Sequence, residues 1–129
     1  MRKFVKKRII HHLSYPKDVD RMLIPLLDTL NSIPGCRTLY SCDGHGREMF
    51  YITMGICSEH IFENVSRIFK ENTPELEIED GIGPDGLLDY ERHLGIYSWR
   101  VGSSPYWKRK RFVKKMTNIL NELVPYNLW

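Results

Sequence analysis

The sequence predicts an α+β fold, a mostly antiparallel sheet with helices packed on one face. Three stretches carry apolar residues at helical spacing, short β-branched or alternating runs lie between them, and glycine or proline marks most boundaries. Read in order, these give β-α-β-β-α-β-β-α. A chain of 129 residues suits a single domain over residues 1–129 with one core.

Residues 4–10, FVKKRII, are short and β-branched and predict a first strand. His11 and His12 then lead through Ser14, Tyr15 and Pro16 toward a helix. Val19, Met22, Leu23, Leu26, Leu27 and Leu30 share its stripe. Pro25 interrupts that stripe and predicts a late start or a kink, because it removes a backbone donor. Pro34-Gly35 ends the helix. Residues 36–42 and 48–57 read as two strands joined through Asp43-Gly44-His45-Gly46, whose glycines permit positive φ. Ser58 caps the next helix, and Ile61, Phe62, Val65, Ile68 and Phe69 form its buried stripe, with Thr73-Pro74 as the stop. Residues 75–80, ELEIED, alternate as a half-buried strand does. The glycine-rich residues 81–86 predict a surface turn. Another strand falls within residues 90–101, with Gly95 marking a bulge. Ser104-Pro105 opens a last helix with Phe112, Val113, Met116, Ile119, Leu120 and Leu123 inward, and Pro125 ends it.

Composition narrows the class. With 42% hydrophobic and 27% charged residues, the chain is neither disordered nor a disulfide mini-scaffold. No apolar run approaches the roughly 20 residues of a membrane helix. The basic start, MRKFVKKRII, lacks the apolar stretch of a signal peptide. Three cysteines, an odd and low count, suit reduced thiols, so a cytoplasmic protein is expected. The net charge of +3 hides an asymmetry. Residues 1–15 hold five basic side chains and no acid, residues 16–99 seven basic against fifteen acidic, and residues 100–129 seven basic against Glu122 alone. The basic ends form either a patch for phosphates or a solvated face paired with the acids of residues 71–91.

The segment Ser41-Cys42-Asp43-Gly44-His45-Gly46-Arg47 gathers a hydroxyl, a thiol, a carboxylate and an imidazole at a strand end. Its glycines let a ligand approach the backbone. Cys42 as nucleophile, with His45 as base and Asp43 beside them, gives one catalytic reading; His45 or Arg47 would then lower the thiol pKa. Ser41, Gly44, Gly46, Arg47 and Arg37 give a ligand-binding reading. The plain alternative has Cys42 as a small buried hydrophobe and Asp43-Gly44 as a turn.

Two resemblances attach to these residues. Leu30 to Gly46, reading L-x-x-I-P-G-x-R-T-x-x-S-C-x-G-H-G, resembles a group of small bacterial and phage proteins with an S-C-x-G-H-G strand-turn motif. More distantly, Thr38 to His45 is similar to the T-x-S-S-C-S-G-R signature of the wybutosine-synthesising tRNA methyltransferase family. That resemblance implies an α/β enzyme using S-adenosylmethionine on a tRNA guanine derivative. Tyr40, Asp43 and His45 stand where that signature has serine, serine and arginine.

Metal binding is weighed on spacing. Cys42-x-x-His45 and Cys57-x-x-His60 suit zinc in ligand type, but they sit at opposite ends of a strand spanning about 30 Å at about 3.3 Å per residue. One ion does not bridge that, so no zinc is expected, and other partners for Cys42 or His45 would be His11, His12 or His93. Finally, Tyr97, Trp99, Arg100, Tyr106, Trp107, Lys108 and Arg111 interleave aromatics with cations, a pattern that suits RNA or another single-stranded polyanion. The alternative buries Trp99 in the sheet and packs Trp107 on it. The expectation is a small ligand- or RNA-binding module with its site at the turn of residues 41–47, extended by Trp99, Arg100, Trp107, Lys108 and Arg111. An enzyme using S-adenosylmethionine or Cys42 and His45, and an interaction protein without an active site, are the alternatives.

Overall fold

Asp20 precedes a 3-10 turn, Arg21–Leu23, that continues directly into helix α1, Ile24–Ser32. The computed structural model describes residues 20–73, 75–81, 87–88 and 90–123. The predicted strand of residues 4–10, the histidines at 11 and 12, the stop at Pro125 and all but Gly81 of the turn of residues 81–86 lie outside these residues, and Gly81 itself ends a strand. Pro25 falls in the first turn of α1 and starts that helix late instead of kinking it, because its missing N–H has no partner there anyway.

α1 buries Leu26, Leu27, Thr29 and Leu30, and its last turn is clipped to the next strand. The Asn31 amide donates to Thr38 Oγ1 (2.8 Å), and Asn31 Oδ1 accepts the Thr38 N–H (3.1 Å). Strand β1, Cys36–Cys42, pairs antiparallel with β2, Phe50–Ile56, from Cys36↔Ile56 to Cys42↔Tyr51. Ser58 accepts the Ile61 N–H and caps helix α2, Glu59–Asn72. Strand β3, Glu77–Gly81, and strand β4, Arg92–Ser98, complete an antiparallel sheet in the order β1-β2-β4-β3. Ser98 caps the short helix α3, Trp99–Gly102, through the Val101 N–H, so the strand predicted within residues 90–101 runs from Arg92 to Ser98. Helix α4, Tyr106–Leu123, follows, with the Pro105 carbonyl accepting the first bonds from Lys108 and Arg109.

The predicted bulge is displaced. Gly95 pairs regularly with Thr53 and Glu79, and the register shift lies between Thr38 and Tyr40 in β1. Gly95 is explained by its neighbour two residues on: a Cβ there would lie 2.5 Å from the Tyr97 ring, which crosses the same face of the strand.

One face of the sheet, with Phe50, Ile52, Met54, Ile56, Leu94 and Ile96, packs against the apolar stripes of α1, α2 and α4 in a single cluster. Each large apolar side chain there contributes about 2 kcal/mol by burial. Phe50 and Phe112 meet edge to face at 5.2 Å, seating α4 over the end of β2. Among the described residues, no helix is long and apolar enough to cross a membrane. The α+β class, the antiparallel sheet and the one-sided helical layer match the expectation.

His93 stands apart on β4, 2% exposed, with neither ring nitrogen hydrogen-bonded among the described residues. Burial pushes its pKa below the usual imidazole value, against the opposing pull of Glu79 and Asp80. Folding therefore favours neutral His93. The unfolded chain binds the proton more readily, so stability present above the unfolded-state pKa of about 6.5 is lost as pH falls from there through the lower folded-state pKa. Urea titrations at pH 7 and pH 5 are expected to show that loss, and His93→Gln, which cannot titrate, is expected to shrink it. An unchanged pH dependence in His93→Gln would contradict the assignment.

Candidate functional site

The chain leaves β1 at Cys42 and turns back through residues 43–49. Asp43 Oδ1 accepts the His45 N–H (2.6 Å), and the Gly44 carbonyl accepts from Arg47 (2.9 Å) and Glu48 (2.7 Å). Gly44, His45 and Gly46 all take positive φ, at 88°, 52° and 85°. The glycines do so freely, while His45 costs about 1 kcal/mol to hold there. The segment D-G-H-G thus folds as the sequence predicts.

α3 then closes on the turn. Gly46 N–H donates to the Gly102 carbonyl (2.9 Å). A Cβ on Gly44 would lie 2.3 Å from Gly102 Cα, and one on Gly102 would lie 2.0 Å from the Glu48 carbonyl oxygen. Two backbones touch where no side chain fits.

Around this contact five ionisable side chains meet. Asp20 Oδ2 accepts the Asp43 N–H (2.8 Å), fixing the start of α1 to the end of β1. The His45 ring lies between two carboxylates, with Nε2 3.7 Å from Asp20 Oδ1 and Nδ1 3.3 Å from Asp43 Oδ1. Cys42 Sγ accepts the Gly44 N–H at 3.3 Å. From α4, the buried Arg109 reaches under the turn, donating from Nη1 to the Ser104 carbonyl (2.6 Å) with Nε 3.9 Å from Asp43 Oδ1. Donor atoms of Asp20, Cys42 and His45 all lie within 4.8 Å of one another. Asp43 is buried, Cys42 half-buried and His45 exposed.

The predicted Cys42, Asp43 and His45 therefore converge, with Gly44 and Gly46 shaping their loop and Arg47 exposed beside them. Ser41 pairs with Ile52 and so points to the opposite side of the sheet from Cys42. Arg37 is roughly 16 Å away along β1 by strand rise. Its guanidinium forks onto Glu91 (3.0 and 2.5 Å), so it is not available to the turn. Cys57 and His93 lie at the far end of the sheet, beside Ile56 and opposite Gly55. Trp99 and Trp107 are 63% and 55% exposed, not packed on the sheet. Lys108 Nζ and Arg111 Cζ lie 5.4 and 5.2 Å from the Trp107 ring centre.

Sequence reasoning missed Asp20 and Arg109. Arg109 carried a legible signal, since it shares helical phase with Phe112, Val113 and Met116. Asp20 carried none, being 22 residues from Cys42 with no spacing rule to join them. No protein-family model, no curated protein and no solved structure matches this chain.

The thiols differ sharply. Burial pushes Cys42 above the usual thiol range; the Gly44 N–H opposes this, and Asp20, Asp43 and Glu48 add to it. Cys36, fully buried beside Met54 Sδ (3.6 Å), is pushed up to about 12. Cys57 is exposed. With a thiol-specific disulfide reagent at pH 8, Cys57 is expected to react fastest, Cys42 more slowly, and Cys36 only on unfolding, as read by mass spectrometry of the labelled peptides. Cys42 reacting fastest would restore the activated-nucleophile reading. Separately, Gly102→Ala is expected to cost about 3 kcal/mol in urea unfolding, since its methyl meets backbone on two strands' connection. Gly46→Ala, whose nearest neighbour is Arg109 Nη1 at 3.3 Å, meets no such wall but keeps a strained φ, and is expected to cost less.

Proposed function

We propose that the protein binds single-stranded RNA through the exposed aromatic and basic side chains of α3 and the first turns of α4, with the turn of residues 41–47 at the edge of that surface. The exposure of Trp99 and Trp107 carries this reading. A tryptophan left in water forgoes the largest burial gain any side chain offers, and here two do so among Arg100, Lys108, Lys110 and Arg111. Indole faces accept unpaired bases while the cations neutralise phosphates, which is how sequence-tolerant single-strand binding works.

Charge supports the same reading. The alternative of a basic helix neutralised by the acidic middle of the chain finds little support, because several of those acids pair with other cations. Arg92 holds Glu59 and Asp80, Arg67 lies by Glu71, and Arg37 holds Glu91. Among the described residues no carboxylate pairs with Lys108, Lys110, Arg111 or Lys114. The Lys108 and Arg111 contacts to Trp107 hold that ring in place, reducing the ordering a bound base must impose. α3 docks on the turn through Gly102, which brings exposed His45 and Arg47 to the same end of the sheet.

Fluorescence anisotropy with a labelled, unstructured oligoribonucleotide tests this. Affinity is expected to fall as salt rises, with Lys108→Ala and Arg111→Ala each flattening the log–log slope by about 0.7. Trp107→Ala is expected to weaken binding about tenfold, the loss of one stacked base. Lys70→Ala on α2 serves as a neutral control. Salt-independent binding, or wild-type affinity in Trp107→Ala, would refute the proposal. A matching oligodeoxyribonucleotide shows whether the 2′-hydroxyl is read.

A further inference from the structure

The geometry points to a zinc site built from Asp20, Cys42 and His45, a ligand set that the C-x-x-H spacing did not disclose. The expectation of no metal rested on pairing Cys42 and His45 with Cys57 and His60, and it left Asp20 out. The three donors combine carboxylate oxygen, thiolate sulfur and imidazole nitrogen, a mixture that suits Zn²⁺ and is poor for Mg²⁺ or Ca²⁺. Ligand atoms around a tetrahedral zinc lie about 3.3–3.8 Å apart at bond lengths of about 2.0–2.3 Å. His45 Nε2 and Asp20 Oδ1 are already 3.7 Å apart. All three donors lie within 4.8 Å, so closure on an ion requires a shift of about 1 Å.

The surroundings are those of metal ligands and not of three residues that merely meet. Asp43 Oδ1 sits 3.3 Å from His45 Nδ1, close enough for its charge to favour a proton on that nitrogen and so leave Nε2 for the metal, as a carboxylate beside a ligating histidine does. Arg109 Nε, buried and without a hydrogen-bond partner among the described residues, lies 3.9 Å behind that same carboxylate. Asp20 uses Oδ2 for the Asp43 N–H and keeps Oδ1 toward His45. Cys42 Sγ already accepts a backbone N–H from Gly44, as a ligating thiolate does. On binding, the Cys42 S–H bond breaks, the sulfur electron pair goes to zinc, and the proton leaves to buffer. Three protein ligands leave the fourth position for water, reached from the exposed His45 side.

Titrating the chelator-stripped full chain with Co²⁺, and then displacing it with Zn²⁺, tests the site. One equivalent of Co²⁺ is expected to produce a near-ultraviolet thiolate-to-cobalt band and the visible bands of four-coordinate cobalt, both bleached by Zn²⁺. Cys42→Ser is expected to abolish the thiolate band and Cys57→Ser to keep it. Asp20→Asn still accepts the Asp43 N–H, and is expected to bind Zn²⁺ at least about tenfold more weakly with an unchanged circular dichroism spectrum. Asp43→Asn, which alters a positioning residue, is expected to weaken binding about 10- to 100-fold with the thiolate band retained. No thiolate band in the native chain, or a band surviving Cys42→Ser, would overturn the proposal. If Cys42→Ser fails to fold, His45→Gln decides: full Co²⁺ affinity overturns the site and lost affinity supports it. RNA binding rests on different side chains, so Lys108→Ala is expected to leave the cobalt spectrum intact.

Discussion

The close approach of two backbones at Gly44 and Gly102 is the constraint on which the rest of the site depends. α3 is only four residues long and has little stability of its own. Its position is fixed by the Ser98 cap, by the Gly46–Gly102 hydrogen bond and by contact too close for any Cβ. That docking sets where Ser104 lies, and the Ser104 carbonyl in turn holds Arg109 under the turn. The left-handed loop of residues 44–46 and the buried arginine are thus consequences of one packing event.

Burying Arg109 and Asp43 together carries a desolvation cost that a single long contact of 3.9 Å does not return. Each therefore needs further partners. Asp43 takes the His45 N–H and lies by the His45 ring; Arg109 takes a backbone carbonyl and lies over Tyr106. Such a network fixes geometry more than it adds stability, and what it fixes is the orientation of the His45 imidazole toward Asp20.

Local pattern in the sequence was enough for most of the described elements, though not for the short helix α3. Ser58 with its stripe, the D-G-H-G turn and the apolar phase of α4 each state their structure within a few residues. Long-range placement was not legible. Gly95 reads as a bulge by residue type, yet its role is to clear the Tyr97 ring, and the irregularity falls instead after Thr38. Arg37 reads as a site cation from its motif, but strand direction carries it to Glu91 at the other end of the sheet. Asp20 joins Cys42 only because the start of α1 folds against the end of β1, which depends on tertiary contacts alone.

The electrostatics of the turn decide between uses of Cys42. An activated cysteine needs positive charge or a helix N-terminus nearby to favour the thiolate. Cys42 has Asp20, Asp43 and Glu48 instead, and the buried Arg109 is turned toward Asp43. His45, the base in the nucleophile reading, is flanked by carboxylates on both ring nitrogens. A negative field that opposes a free thiolate is the same field that draws in a divalent cation, whose charge then reverses the cost of ionising the sulfur. The cluster is accordingly better arranged to hold a positive ion than to attack an electrophile. The exposed Lys108, Lys110 and Arg111 of α4 carry the opposite sign, and that contrast in charge is why the two proposed uses rest on different side chains.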